Sequence, residues 1–452
     1  MASAQIHQQK DIAMRKENIQ GLSEAIRLGS WHNDYMLHEA QAFLDCPADQ
    51  VYRVYNEYVG KYFRNIIVTA LDAFLEANHF TVVAQKSIGS NGFQTPKKED
   101  IEVAPKVIKS CFTEGCFLLD KAGTRFILEF QNSYHTDGWW VTVFYKNTSE
   151  DSAKSFLRDL ETFAKDHNYL RKAKIDANLA YIPHSDYNWD DIVLPLKTKQ
   201  ELLVNIDGMI SNIDLYKKNN IKFKRGLILK GPPGTGKTLV GKIICNSVDC
   251  TFLWVTPHFL ERSHHVKMIC DMARELSPSI LFLEDIDLYS EDRRSTGNAS
   301  LLGELMNQLD GLVENHFVIV IATTNRVDDV EEALRNRPGR FDRILDIGLP
   351  TAAGRLHMLQ LFTKNYKMDN VDLEVVAQQT EKYSGAHVKE LVITAAIAAI
   401  DEKSLTDEGL VILKASYFLD NIAKVRNKKI EPVAGFGTPS AAVPRFDMDD
   451  DE

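Results

Sequence analysis

The sequence predicts an α/β protein in which a parallel sheet and a C-terminal helical lid follow an α+β N-terminal domain. Three observations support this fold class. Short apolar segments alternate with helical patterns over residues 186–348, which is typical of a parallel sheet covered on both faces. A helical pattern alone continues over 349–427. Within residues 1–185, apolar runs separated by turn residues predict an antiparallel sheet.

The composition narrows the class of protein before any motif is considered. A chain of 452 residues is long enough for two or three domains, and its net charge of −10 argues against a broad nucleic-acid or anionic-membrane surface. The six cysteines lack C-x₂-C spacing, which favours reduced thiols. The N-terminus has no apolar signal-peptide core, and no window approaches the roughly 20 apolar residues of a membrane span. We therefore expect a cytoplasmic protein without a membrane span.

In the N-terminal domain, residues 1–185, the first strong pattern is a set of apolar and aromatic residues spaced by three and four. This spacing predicts a long amphipathic helix from Val51 to Leu71. The elements predicted after it are a strand near Phe80–Ala84, a three-stranded meander (Cys116–Leu119, Phe126–Phe130 and Trp139–Tyr145) and a helix over Ser152–Asp166. This domain contains no catalytic motif.

The second half divides into a predicted sheet, a predicted lid and a tail. The strands expected in the parallel sheet are Leu227–Lys230, Thr251–Val255, Ile280–Leu283, Phe317–Ala322 and Ile344–Ile347. The helices expected in the lid are Arg355–Phe362, His387–Ile400 and Ala415–Val425. Residues 428–452 are rich in small residues and end in acids, so we expect this tail to be disordered.

A glycine-rich loop stands between the first of these strands and a helical pattern. It matches G-x-x-x-x-G-K-[ST] over eight positions, with Leu239 next in the helix: Gly231, Pro232, Pro233, Gly234, Thr235, Gly236, Lys237 and Thr238. Such glycines let backbone N–H groups point at phosphate oxygens, and the helix N-terminus adds positive potential. Lys237 can reach the β- and γ-phosphates, and the Thr238 hydroxyl can hold Mg²⁺. The loop predicts a nucleoside triphosphate site.

Polar residues follow two further apolar strands. Glu284 and Asp285 end one of them, where one acid can bind Mg²⁺ directly or through water and the next can orient or deprotonate the attacking water. Asn325 ends the other, and its amide suits the γ-phosphate or the water. Arg337 and Arg340 then flank a Pro-Gly turn, where guanidinium groups suit the charge on a transferring phosphoryl group. Taken alone, such a cluster would by default be interpreted as a solvated basic loop.

In this order, the motifs from about Trp189 to Val425 resemble those of the AAA ATPases. GPPGTGKT resembles their Walker A motif, ILFLEDID their Walker B motif, IATTN their sensor 1 and NRPGRFDR their arginine-finger segment. The resemblance assigns sensor 1 to Asn325 and the fingers to Arg337 and Arg340. Further positions that it places at the nucleotide are Gly385 and Ala386 in the sensor 2 region, and Asp191, Ile192 and Val193 beside the adenine.

What the resemblance implies is an ATPase that uses ATP and Mg²⁺. Members of the family form ring hexamers in which the arginine fingers act on the nucleotide of the neighbouring subunit. The expected self-assembly is thus a homo-oligomeric ring, and the expected activity is ATP hydrolysis coupled to remodelling of a protein client. The N-terminal domain is expected to recognise that client.

Three positions depart from the family pattern. Glu284-Asp285 reverses the usual Asp-Glu order, a swap similar to that in the mitochondrial AAA translocase of the Rieske protein. The stretch Glu261–His265 stands where the family has an aromatic–aliphatic–glycine pore loop, so we expect action on a folded or assembled client rather than threading. Phe362 occupies a place where many relatives carry a histidine near the ribose.

Two other functions remain open from the sequence. A nucleotide-gated binding or scaffold module would bind ATP with little turnover, because Asp285 is one methylene shorter than the usual glutamate. A nucleic-acid-directed ATPase is disfavoured by the acidic charge and by the lack of an obvious arginine beside Gly385 and Ala386. We do not expect a nucleic-acid partner.

Overall fold

The fold divides into two compact units, Met1–Leu170 and Arg171–Glu452. The computed structural model describes residues 26–27, 34–59, 61–89, 92–132, 138–221, 225–260, 263–288, 308, 317–326, 341 and 343–426. The acidic tail predicted over 428–452 lies outside these residues.

The first unit is an antiparallel sheet with helices. Its strands are β1 Ile26–Arg27, β2 Val51–Val59, β3 Thr81–Gly89, β4 Gly92–Gln94, β5 Lys97–Ala104, β6 Val107–Lys121, β7 Thr124–Asn132 and β8 Gly138–Lys146. Its helices are α1 Asp34–Leu44, α2 Lys61–Ala77 and α3 Glu150–Asp166. The strand order is β1-β2-β8-β7-β6-β3-β4, with β5 paired to β6. The predicted α+β class and the predicted meander are confirmed.

Helices pack on both faces of this sheet. Leu44 of α1 lies in one core cluster with Ile127 of β7. On α2 and α3, Phe74 and Phe156 meet edge to face at 5.4 Å, and Phe156 also contacts Phe126 of β7. Since successive side chains of a strand point to opposite faces, Phe126 and Ile127 show that α1 covers one face and α3 the other.

The helix predicted from Val51 to Leu71 is wrong. Residues 51–59 form β2, which pairs with β8 along its whole length, and only the part from Lys61 is helical. The error has a physical cause. Val51 and Val54 are both buried but point to opposite covered faces of the sheet, so their spacing of three imitates a helix.

The second unit contains a six-stranded parallel sheet. Its strands are β9 Lys174–Asp176, β10 Arg225–Lys230, β11 Thr251–Val255, β12 Ser279–Leu283, β13 Val318–Thr324 and β14 Arg343–Asp346, in the order β14-β10-β13-β12-β11-β9. The helices before the lid are α4 Leu196–Asn205, α5 Asp207–Ile210, α6 Ile213–Lys218, α7 Lys237–Ser247 and α8 Ser263–Glu275. The predicted parallel sheet is confirmed. Edge strand β9 was not predicted, and it lies before residue 185, the predicted end of the first domain.

The lid follows the sheet and has its own apolar core. Its helices are α9 Ala352–Thr363, α10 Leu373–Gln379, α11 Gly385–Asp401 and α12 Ala415–Arg426. The prediction of a purely helical segment is wrong, because β15 Lys367–Asp369 pairs in parallel with β16 Ile412–Lys414. Three-residue strands leave too little periodicity to be recognised from sequence.

Among the described residues, no helix combines the length and apolar composition that a membrane crossing requires.

Candidate active site

The glycine-rich loop connects β10 to α7 and is shaped by close contacts. A Cβ at Gly231 would lie 2.2 Å from the carbonyl oxygen of Ile347, so only glycine fits there. Gly234 has a φ of +75°, and a Cβ there would lie 2.8 Å from the Cβ of Ala386. Both positions therefore require glycine, which is consistent with a loop that curls around a ligand. Thr235 closes the turn by donating to the carbonyl of Pro232 at 2.9 Å.

The lid touches this loop at the start of α11. The Ala386 N–H donates to the carbonyl of Gly234 at 3.0 Å. Ser384 caps the helix, since its hydroxyl lies 2.7 Å from Nδ1 of His387 and accepts from the His387 N–H. The Gly385-Ala386 pair, expected from the sequence near the nucleotide, is thus held against the loop.

The segment expected beside the adenine also lies at the junction of sheet and lid. The Ile192 side chain belongs to the core of the sheet and reaches towards Gly236. Val193 packs against the core of the lid. Asp191 instead accepts a hydrogen bond from the N–H of Asn188, so its carboxylate is used within its own turn. The structure brings Ile192 and Val193 to the site and leaves Asp191 at its edge.

Lys237 lies at the centre of the polar cluster. Its Nζ donates to the carbonyl oxygens of Gly231 and Pro232 at 2.7 and 2.9 Å, and to Oδ1 of Asn325 at 2.8 Å. Burial lowers the pKa of Lys237, and the carboxylates of Asp285 and Asp287 oppose that shift. An ammonium group held beside the loop in this way can transfer its hydrogen bonds to phosphate oxygens.

The two predicted acids face different partners. Glu284 accepts at Oε1 from the Thr238 hydroxyl at 2.7 Å and at Oε2 from the Trp254 indole N–H at 3.1 Å. Burial raises the pKa of Glu284, and both hydrogen bonds act against that shift. Asp285 accepts instead from the amide of Asn325, at 3.1 Å. Glu284 is therefore joined to the loop threonine and Asp285 to Asn325.

Asp285 has an unusual backbone. Its φ is +45°, in the left-handed region that aspartate and asparagine tolerate better than longer side chains. Its N–H donates to the Thr323 hydroxyl at 2.9 Å, which fixes the turn after β12. Burial, followed by the charge of Asp287, raises the pKa of the Asp285 carboxyl, and Lys237 opposes the shift.

Three residues of this cluster were not nominated from the sequence. Asp287 is buried and accepts from the N–H of Asn325 at 3.1 Å, so it holds the backbone of that residue. Thr323 and Trp254 hold the two acids. The only signal for Asp287 was its place in the acidic segment after β12. Nothing in the sequence pattern pointed to Trp254 or Thr323.

The residues present fit a magnesium nucleotide. A hydroxyl and a carboxylate, the oxygen ligands that Mg²⁺ takes in proteins, lie together at Thr238 and Glu284. Mg²⁺ bound there would neutralise negative charge on the transferring phosphoryl group. Asp285, the next residue in the chain, and Asn325, which follows β13, offer a proton acceptor and an amide for a water molecule.

Other expected positions fall elsewhere. Arg337 and Arg340 lie outside the described residues, as do Glu261 and Arg262 of the segment that replaces a pore loop. Pro233 lies within the loop, and Leu239 packs against the core of the sheet from α7. No group of three or more metal-ligating His, Cys, Asp or Glu side chains occurs among the described residues.

Comparison with known proteins identifies the second unit. Residues 227–349 match the model of the family described as "ATPase family associated with various cellular activities (AAA)". Proteasome-activating nucleotidase of Pyrococcus abyssi is 37% identical over 234 residues, which cover 49% of this chain and 58% of the relative. Proteasome-activating nucleotidase of Aeropyrum pernix is 39% identical over 204 residues, covering 42% and 50%. The chain thus spans about half the length of these relatives. The motifs, their geometry and this similarity together show an AAA domain over residues 227–349.

Proposed function

We propose that the protein is an ATP-hydrolysing, ring-forming AAA protein that remodels or disassembles a protein client. The observation that carries this proposal is the convergence of Lys237, Thr238, Glu284, Asp285 and Asn325 at one end of the parallel sheet. In open parallel sheets, ligands bind outside the carboxyl ends of the strands. Phosphoryl transfer to water needs groups that bind phosphate, hold Mg²⁺ and orient the water, and these five side chains can supply them.

In this proposal each side chain has one task. Lys237 exchanges the carbonyls of Gly231 and Pro232 for phosphate oxygens, so the buried ammonium keeps an oxygen partner throughout. Thr238 and Glu284 hold Mg²⁺. Asp285 orients the attacking water and accepts its proton, while the Asn325 amide, already bound to both Lys237 and Asp285, connects the phosphate side to the water side.

The proposed oligomeric assembly depends on two arginines outside this group of five residues. We infer a homo-oligomeric ring, a hexamer, in which Arg337 and Arg340 act on the nucleotide of the adjoining subunit. Guanidinium groups stabilise charge on a transferring phosphoryl group and are effective when supplied in trans. The first unit has a large sheet with no catalytic motif, and we assign it to client recognition. We place the protein in the cytoplasm.

The client is a protein in this proposal because the relatives are named proteasome-activating nucleotidases, a name that links nucleotide use to a protein machine. An aromatic–aliphatic–glycine motif is missing from the sequence after Leu260. Such a motif grips extended polypeptide in threading members of the family. We therefore favour a folded or assembled client.

Phosphate release measured over a range of protein concentrations tests the proposal. Specific activity should rise with concentration, as expected for sites completed between subunits, and Lys237→Ala should abolish it. Mixing in Arg340→Ala subunits should inhibit more than in proportion to their fraction.

Other outcomes would replace the proposal. Nucleotide-dependent assembly with turnover equal to that of Lys237→Ala would indicate a scaffold module. Hydrolysis that DNA stimulates, and that falls steeply with salt, would indicate a nucleic-acid ATPase. Activity that is constant down to dilute monomer would exclude the ring. Capture with Asp285→Asn in ATP, followed by identification of the retained protein, would name the client.

A further inference from the structure

Glu284 is held from two sides, and one of the two donors is not part of the glycine-rich loop. Its Oε1 accepts from Thr238, and its Oε2 accepts from the Trp254 indole N–H at 3.1 Å. Trp254 lies on β11, next to β12, and the Glu284 N–H extends that pairing by donating to Val255. Trp254 is 0% exposed and Glu284 6%. A carboxylate buried to this degree needs hydrogen bonds to both of its oxygens.

The indole is rigid as well as buried. Its ring packs against Phe282 with centroids 4.4 Å apart and against Phe252 at 5.9 Å. Tryptophan has a single polar hydrogen and can only donate. With the ring fixed by its neighbours, the direction of that hydrogen is fixed too, so it sets the position of Oε2.

We propose that Trp254 is a positioning residue for the metal-holding pair Thr238 and Glu284. This rests on the proposed function, in which these two residues take Mg²⁺. By holding Oε2, Trp254 keeps Oε1 on the Thr238 hydroxyl. That hydroxyl has one hydrogen, which it gives to Glu284, so the lone pairs of Oγ1 are left for a cation.

The same contacts account for glutamate at this position. The carboxylate must reach the Thr238 hydroxyl on α7 and the Trp254 indole on β11 together. Aspartate, one methylene shorter, would not reach both donors from the same backbone. Tryptophan on β11 and the unusual Glu-Asp order of Glu284 and Asp285 are thus two parts of one arrangement.

The test is Trp254→Phe, which keeps an aromatic ring and removes the N–H. Trp139→Phe is the matched control, since Trp139 is 2% exposed, donates to a backbone carbonyl and lies in the first unit. ADP binding is measured by calorimetry at increasing Mg²⁺ and in excess chelator. We expect Trp254→Phe to raise the half-saturating Mg²⁺ roughly 10- to 100-fold, as for other residues that orient metal ligands. Affinity in chelator should match the wild type, and Trp139→Phe should change neither quantity.

A double-mutant cycle gives a second measurement. Adding Trp254→Phe to Glu284→Asp should cause no further loss of Mg²⁺ dependence. A third uses the wild-type chain labelled with ¹⁵N-tryptophan and does not depend on the folding of Trp254→Phe. One indole resonance should move both in Glu284→Gln and when Mg²⁺ is added to the ADP complex.

Several outcomes would overturn the inference. One is that Trp254→Phe loses as much ADP affinity in chelator as with Mg²⁺. The others are additive losses of Mg²⁺ dependence in the double-mutant cycle, and the lack of an indole resonance that responds to Glu284→Gln. Wild-type ADP binding that gains nothing from Mg²⁺ would instead remove the metal site on which the proposed function depends. The two failures are therefore distinguishable.

Discussion

In the first unit an antiparallel sheet and the helices on its two faces bury aromatic and aliphatic side chains, whereas the second unit also buries charged side chains among its parallel strands and lid. Among the described residues, the charged residues with at most 9% of their surface exposed all belong to the second unit: Asp176, Lys237, Glu284, Asp287 and Arg355. The largest buried side chains of the first unit are aromatic: Trp139, Tyr62, Tyr145 and phenylalanines such as Phe74 and Phe117. The same chain therefore uses burial for two purposes.

Burial of a charge alone does not mark a catalytic residue. Arg355 is buried in the lid, but it donates to the carbonyl oxygens of Ala377 and Pro350 and ties two lid segments together. Lys237, Glu284 and Asp287 differ because they lie together beyond the ends of neighbouring strands. Because burying a charge is costly, groups kept so close together indicate chemistry.

The largest effect that we expect comes from Asp285→Asn. Asparagine tolerates a φ of +45° as aspartate does, but its amide cannot accept the proton of the attacking water. Turnover should fall about 10²- to 10⁴-fold, the usual contribution of a general base, with ATP affinity retained. Single-turnover phosphate release and equilibrium binding separate the two quantities.

Asp285→Glu is the control for the left-handed backbone. It keeps a carboxylate, but on a longer side chain in a conformation that favours aspartate. We expect it to lower the free energy of unfolding by about 1 kcal/mol and not to exceed wild-type turnover. For the first variant, Asp285→Asn, turnover equal to that of the wild type would contradict the prediction, because another group would then accept the proton.

The site was predictable from sequence where its parts are local. A strand, a glycine-rich loop and a helix start are contiguous, and acids that follow an apolar strand must lie at the carboxyl end of a parallel sheet. Hence Lys237, Thr238, Glu284, Asp285 and Asn325 could be nominated, and the structure brings them together. Their catalytic roles remain proposals.

The residues that hold these groups could not be predicted, because they depend on which strands are neighbours. Trp254 meets Glu284 only because β11 lies beside β12, and Thr323 meets Asp285 only because β13 lies on the other side. One strand of the first unit shows a related difficulty. Strand β2 has both faces covered, so alternation between apolar and polar residues is lost and the pattern imitates a helix.

Two phenylalanine-to-alanine substitutions, one in each unit, test the comparison between the units. Phe74 of α2 contacts Phe80, Phe156 and Phe163 in the first unit. Phe74→Ala should cost about 3–5 kcal/mol of the free energy of unfolding of that unit, because it leaves a cavity. Nucleotide affinity in the second unit should stay within about twofold of the wild type.

The matched substitution in the second unit is Phe282→Ala, which removes an aromatic ring that packs against Trp254 and Gly241. It should destabilise the second unit by a similar amount and also weaken Mg²⁺-dependent nucleotide binding. Hydrogen exchange followed by mass spectrometry assigns each loss of stability to its unit. If Phe74→Ala weakened nucleotide binding as much as Phe282→Ala does, the two units would not be independent.

The last expected effect depends on pH and concerns Glu129, on β7 of the first unit. Burial raises the pKa of its carboxyl to about 7, and the guanidinium of Arg53 opposes that shift. With a folded pKa above the ordinary 4.5, the folded unit binds more protons than the unfolded chain between these two values. Stability of the first unit should therefore be higher near pH 5 and fall as the pH rises towards 7, by at most about 1.4 kcal/mol per pH unit.

Glu129→Gln should remove this pH dependence, because an amide does not titrate. Urea unfolding of the full chain at several pH values between 5 and 8, with hydrogen exchange in β7 as the probe, measures the slope for each variant. A wild-type slope that persists in Glu129→Gln would assign the titration to another group.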